Sequence, residues 1–285
     1  MRHAFSLAHL SALSLSPPEM IDVAARVGYE HVGLRLAPVT PNEPRYPLPY
    51  DERMMSETQA ALADTGVEVL DVELVRLTPD VDVDAFVPMF EAAARLGARH
   101  VIAQTPDPVQ QRAIEHFGRL CELARPSKLT VDLEFITWTD TPDLDAAAAI
   151  VSAVKQPNAG VLVDTLHFCR SRCSLDALRA LPRSWFHFAQ VCDAPAEAPK
   201  TTEALIHAAR HERLFLGDGG LDVRGILDAL PDDIPYSLEI PMTTLARTLG
   251  PELRAHMALL SARRYLQAPA KAARASARSS ADASR

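Results

Sequence analysis

The fold class turns on the run Gly160-Val161-Leu162-Val163-Asp164-Thr165-Leu166-His167. Four apolar or small residues lead straight into a carboxylate, and a histidine follows three positions later. An apolar run this short and this rich in valine reads as a strand buried on both faces, the kind found in parallel sheets. A charge at the end of such a strand is costly unless it is paired, hydrogen-bonded or bound to a metal.

Working outward from this strand, the same unit recurs on both sides. Upstream, Leu129 to Phe135 reads as a strand and Leu144 to Val154 as a helix. Downstream, Ser174 to Leu181 reads as a short helix, Trp185 to Val191 as a strand and Thr202 to His211 as a helix. A second helix over Leu221 to Leu230, a strand over Tyr236 to Ile240 and a last helix over Leu245 to Leu266 complete the second half. In the first half a strand near Phe5 precedes a helix opened by Ser16-Pro17-Pro18-Glu19 and closed by Gly28. Strands over His31 to Leu36, Val67 to Leu74 and His100 to Gln104 alternate with helices over Asp51 to Thr65, Val83 to Leu96 and Val109 to Ala124. Eight strand-helix units at a period of roughly 30 residues predict a parallel sheet with helical crossovers, closed as a single (β/α)8 TIM barrel. A doubly wound open sheet is the alternative, but no GxGxxG follows an early strand. The barrel is expected over residues 1–266, with an Ala/Ser/Arg tail over 267–285 expected to be disordered. Between Ala37 and Tyr50 five prolines exclude helix and central strand, and a loop of that length is expected to serve the site as a lid or wall.

Bulk properties narrow the function. A hydrophobic content of 48% supports a full core. A net charge of −8 argues against a nucleic-acid surface, and no apolar run is long enough to span a membrane. Cys121, Cys169, Cys173 and Cys192 show no CxxC spacing and no disulfide framework, so a reducing cytoplasm is the expected compartment. Oligomeric state is left open.

Four late strands end in polar side chains: Glu134, Asp164, Gln190 and Glu239. Alternation turns Val131, Leu133 and Phe135 toward the helices and Asp132 and Glu134 inward, and it turns Ser237 and Glu239 inward likewise. Consecutive strands bring the four to one rim. Three carboxylates that close repel one another unless a dication sits among them. All-oxygen ligation favours Mn²⁺ or Mg²⁺. The bland alternative pairs each rim group separately with Arg170, Arg210 or Arg213.

Val163-Asp164-Thr165-Leu166-His167, Phe188-Ala189-Gln190-Val191-Cys192-Asp193-Ala194-Pro195 and Ser237-Leu238-Glu239-Ile240-Pro241 together resemble the sugar phosphate isomerase/epimerase superfamily of xylose isomerase-like TIM barrels. The resemblance spans roughly Phe5 to Leu266. It implies a metal set of Glu134, Asp164, Gln190 and Glu239, with His167 as a substrate-contacting histidine. Most members carry histidine where this chain has Gln190. Gln190 followed by Cys-Asp-Ala-Pro, with Ala209-Arg210-His211-Glu212-Arg213-Leu214 later, looks most like the 3-dehydroshikimate dehydratase branch. The implied chemistry is proton abstraction beside a metal-polarised ketone, with Glu134, Glu239 and His167 as catalytic groups. The substrate is then a small hydroxy-ketone or keto acid, and isomerisation, epimerisation or loss of a β-hydroxyl are its outcomes. Arg210 is a candidate carboxylate or phosphate ligand, while Arg35 and Glu73 at earlier strand ends are candidate pocket residues. Asp193 is a candidate support for a ligand and Trp138 a candidate pocket wall; His100 and His187 read as structural. A phosphodiesterase of the family-2 apurinic endonuclease type needs a histidine-rich trinuclear zinc site and basic loops, which this acidic chain lacks. A non-catalytic barrel is disfavoured by the intact set of ligands.

Overall fold

A computed structural model describes residues 3–268. Eight parallel strands close into a barrel in sequence order: β1 Phe5–Leu7, β2 His31–Arg35, β3 Glu68–Arg76, β4 His100–Gln104, β5 Thr130–Glu134, β6 Ala159–Asp164, β7 Ala189–Val191 and β8 Tyr236–Leu238. Closure is made by β1 on β8, with Ser6 beside Ser237. The fold is the single (β/α)8 TIM barrel that the alternation predicts.

Two hydrophobic layers hold it. Outward-facing strand residues such as Val131, Leu133, Val161 and Val163 pack against the helices in one continuous core. Inside the barrel, Leu70, Leu74, Ile102, Leu162 and Phe188 form a separate plug. This division follows from the two-residue period of the strands. Helix ends behave as their residues dictate. Pro17–Val27 opens on a Ser16–Glu19 capping box and closes on Gly28 at φ 96°, a left-handed turn that glycine adopts without strain. Asp51 caps Glu52–Thr65 through the Met54 amide.

Four expectations are corrected in detail. The last helix is two, Thr243–Ala246 and Pro251–Gln267, because Gly250-Pro251 cannot continue the first. The expected helix over Val83 to Leu96 starts as a 3-10 turn, Val83–Phe86, before Val87–Arg95. Strand seven is only Ala189–Val191; Arg183–Trp185 is a 3-10 turn. The sixth strand, which the valine-rich pattern extends over Gly160 to Thr165, ends at Asp164, and Thr165 begins the helix Thr165–Arg170. The proline-rich loop is strand-free and helix-free, as expected. It is packed down by buried Leu48, by a Tyr46 hydroxyl donating to the Leu13 carbonyl at 2.8 Å, and by Tyr46 stacked on His9. The expected disordered tail, apart from 267–268, lies outside the described residues.

Candidate metal centre and pocket

A pocket of about 600 Å³ opens over the C-terminal ends of the strands. Its floor is acidic, and each acid is placed by a strand end. Register sets Asp164 beside Gln190 and Arg35 beside Glu73. Glu134 ends β5, and Glu239 follows β8 directly. All four carboxylates are buried.

Asp164 serves two structures at once. Its Oδ1 caps the helix Thr165–Arg170, accepting from the Leu166 amide at 2.7 Å, and its Oδ2 accepts from Arg213 at 2.6 Å. Burial raises its pKa, but Arg213, His167 and the capping amide outweigh burial and hold it below the usual carboxylate range. Glu134 accepts from the Gln104 amide at 2.6 Å, and burial together with the neighbouring Asp164 charge pushes it up to about 7. Glu239 accepts from Gln190 at 3.0 Å and from Arg213 at 2.8 Å. Burial raises it and Arg213 pulls it back, while Glu73, Asp164 and Glu134 push it further up.

His167 lies with its Nε2 at 3.9 Å from Glu134 Oε1. Burial lowers its pKa to about 4, so at neutral pH this is an uncharged imidazole beside a carboxyl, not an ion pair. Trp138 stands edge-on to the ring at 5.2 Å and walls the pocket. Arg213 comes from the segment after the helix Thr202–His211. It is seated by paired hydrogen bonds between Asp193 and Leu214, and its Nε donates to Ala209 O at 2.7 Å. Asp193 in turn accepts from the amides of Ala194, Gly217, Gly219 and Leu221, so it fixes the loop rather than facing the pocket as a ligand.

Whether these residues suit a metal is decided by donors and charge. One ligating atom each from Glu134, Asp164 and His167 falls within 4.8 Å of the others. Gln190 Oε1 is buried without a partner, an acceptor left open. Among the described residues Arg213 bonds Asp164 and Glu239 but not Glu134, and a divalent ion would favour the ionised form of all three carboxyls. The residues fit one such ion. The sequence places all four expected ligands and His167 at this pole; the arrangement sets His167 nearest to Glu134 and Asp164, and ties Gln190 and Glu239 to each other.

Among the other expected residues, Arg35 bridges Glu73 at 3.2 Å and Glu43 of the proline-rich loop at 3.1 Å. That makes the loop a wall pinned to the barrel. Arg210 is half-buried at the mouth. Its side chain and that of Arg76 make no hydrogen bond or ion pair among the described residues, although both line the pocket. Burial and then the like charge of Arg76 lower the pKa of Arg210. Arg76 was not expected, because β3 runs two residues past the strand end that the sequence suggests. Gln104 was read only as a strand end.

A family model described as xylose isomerase-like TIM barrel matches residues 21–264. The chain belongs to that family. The family fold is shared by solved structures of low identity. One is the IolI protein with a bound zinc atom: TM-score 0.75, 18% identity, 92% of this chain and 97% of that one. A second is the probable 3-DHS dehydratase AsbF from Bacillus anthracis: TM-score 0.68, 19% identity, 90% and 98% covered. A third is a D-allulose 3-epimerase from Methylomonas sp. in complex with D-allulose: TM-score 0.67, 16% identity, 93% and 97% covered. At these identities the likeness is one of fold. No curated protein matches the sequence. No helix among the described residues is long and apolar enough to cross a membrane.

Proposed function

We propose that this xylose isomerase-like barrel is a divalent-metal-dependent enzyme of the isomerase or epimerase type, acting on a small hydroxy-ketone. The observation that carries the reading is the cluster of three buried carboxyls, Glu134, Asp164 and Glu239, around one buried arginine, Arg213, beside an unpartnered Gln190 oxygen. Glu134, Asp164, Gln190 and Glu239 would hold Mn²⁺ or Mg²⁺, with His167 able to join them or to contact substrate. When bound, the ion polarises a ketone and acidifies the neighbouring C–H. Under this reading Glu134 and Glu239 would take and return that proton. Neutral His167 accepts from or donates to a substrate hydroxyl. Trp138 and the loop pinned by Arg35 wall the pocket.

A second reading, elimination of a β-hydroxyl from a cyclic keto acid such as 3-dehydroshikimate, is favoured by one observation. Arg76 and Arg210 stand near one another at the mouth with no carboxylate of their own. A guanidinium matches a carboxylate bidentately, whereas a neutral ketose needs no such pair. The test is a substrate panel with 3-dehydroshikimate beside fructose and psicose, run with Mn²⁺ and Mg²⁺. Under the keto-acid reading Arg210→Lys lowers kcat/KM on the acid by about tenfold or more, ~1.4 kcal/mol. Turnover of the neutral ketoses alone, indifferent to Arg210, leaves the epimerase reading. Absence of activity and of metal binding across the panel sinks both.

A further inference from the structure

At the opposite pole of the barrel, a second set of ligating side chains converges. His100 opens β4, Asp132 is the third residue of β5, and His187 lies two residues before β7. One ligating atom of each falls within 4.8 Å of the other two. The strand between β5 and β7 is β6, and in register with Asp132 it carries Gly160. A Cβ at that position would sit 2.3 Å from Asp132 Oδ1 and 2.7 Å from His187 Nδ1. The missing side chain is what lets His187 reach across β6 to Asp132.

The geometry is that of two imidazoles sharing one carboxylate. His187 Nδ1 lies 2.6 Å from Asp132 Oδ1, and His100 Nδ1 lies 3.8 Å from Oδ2. The two rings are near-parallel, at 16° and 5.5 Å. Thr130 Oγ1 accepts from His100 Nδ1 at 2.7 Å and donates to Asp132 Oδ2 at 2.8 Å. Asp132 is buried, while the His100 and His187 side chains keep 12% and 21% of their exposure, which leaves a path for an ion from solvent. Burial lowers the His100 pKa to about 4, so its ring is uncharged at neutral pH. Two imidazole nitrogens and one carboxylate oxygen suit zinc, iron or nickel, unlike the oxygen-rich set at the other pole.

We propose that His100, Asp132 and His187 form a transition-metal site at the N-terminal pole, where a zinc-like ion joins β4, β5 and the segment leading into β7. Binding releases the Nδ1 protons that now serve hydrogen bonds, and water completes the coordination on the exposed side. This pole of a (β/α)8 barrel serves stability rather than turnover. The expected effect of the ion is therefore on the melting temperature.

A hydrogen-bond network alone would brace Asp132 without any metal, and asparagine separates the two roles. Its amide N–H sits where the histidine Nδ1–H sits and donates to the same acceptor, Asp132 at position 187 and Thr130 at position 100, but it does not ligate zinc as imidazole does. The experiment dialyses the full chain, stripped of metal, against zinc, and measures bound zinc and melting temperature for wild type, His187→Asn and His100→Asn. Each variant should melt near wild type without zinc and should bind one equivalent fewer. Glu134→Gln removes an ion only at the other pole, so failure there is told apart from failure here. Equal zinc stoichiometry in wild type and both variants overturns the site. A readout without variants is the imidazole NMR spectrum of the wild type. Zinc should shift the His100 and His187 rings, and rings that stay unshifted overturn it as well.

Discussion

Arg213 and Arg26 each bond a glutamate at 2.8 Å, and burial separates what the two bonds contribute. Arg26 and Glu252 are both about half-exposed, so water and salt screen the pair. Arg26→Ala should leave the urea midpoint within the scatter of an ordinary surface substitution. Arg213 is buried between Asp164 and Glu239, and removing it strands two carboxylates out of water. Arg213→Met should cost about 3–5 kcal/mol in urea denaturation of the metal-free protein. A loss near that of Arg26→Ala would show that the clamp does not hold. Where Arg213→Met still folds, Asp164 and Glu239 lose the buried cation that bonds them both. The variant's preference for terbium over manganese should then rise, read by terbium emission excited through Trp138 beside His167. An unchanged preference would mean that Arg213 does not set the charge of the site.

At the scale of elements, His9 ties the turn after β1 to the end of β2. Arg35 N–H donates to His9 Nδ1 at 2.8 Å, so the ring proton must sit on Nε2, which donates to Leu15 O at 3.0 Å. Protonating Nδ1 would oppose a hydrogen to the Arg35 amide, and burial lowers the pKa to about 4. A folded pKa below the unfolded value of about 6.5 means stability that is whole above pH 6.5 and is lost as pH falls toward 4. The amount is on the order of 3 kcal/mol. His9→Phe should flatten the stability curve across that window, as chemical denaturation at stepped pH would show; an unaltered slope would locate the titration elsewhere. What the sequence revealed of the elements has the same physical grain. Inward and outward sides of β5 and β8 were legible because alternation is local. The length of β7, where an aromatic-rich lead-in reads as strand, was not. Nor was the grip of Arg213 on Asp164, which rests on the Asp193–Leu214 pairing between segments brought together only by the fold. Arg76 was missed for a single reason, a β3 boundary drawn two residues short.

The barrel brings Glu134, Asp164 and Glu239, from three different strand ends, to the one pole over which the pocket opens, so divalent binding there should be a property of the intact fold. With Mn²⁺ at about a hundred times its Kd the folded state gains about 2.7 kcal/mol, seen as a rise in melting temperature. Glu134→Gln should abolish most of that rise while leaving the metal-free melt close to wild type or higher, since it removes an uncompensated buried charge. A full rise in the variant would place the ion elsewhere. The joining of β1 to β8 also has a consequence for synthesis. Ser6 finds its neighbour Ser237 only after more than two hundred further residues have been made. At ordinary ribosomal rates the first strand waits on the order of ten seconds or more with its outer edge bare. Glu134, Asp164 and Gln190 are translated in the later half of that wait, and Glu239 just after it ends. A nascent chain arrested before Tyr236 should therefore be protease-sensitive and a client for chaperones, whatever metal the cell supplies.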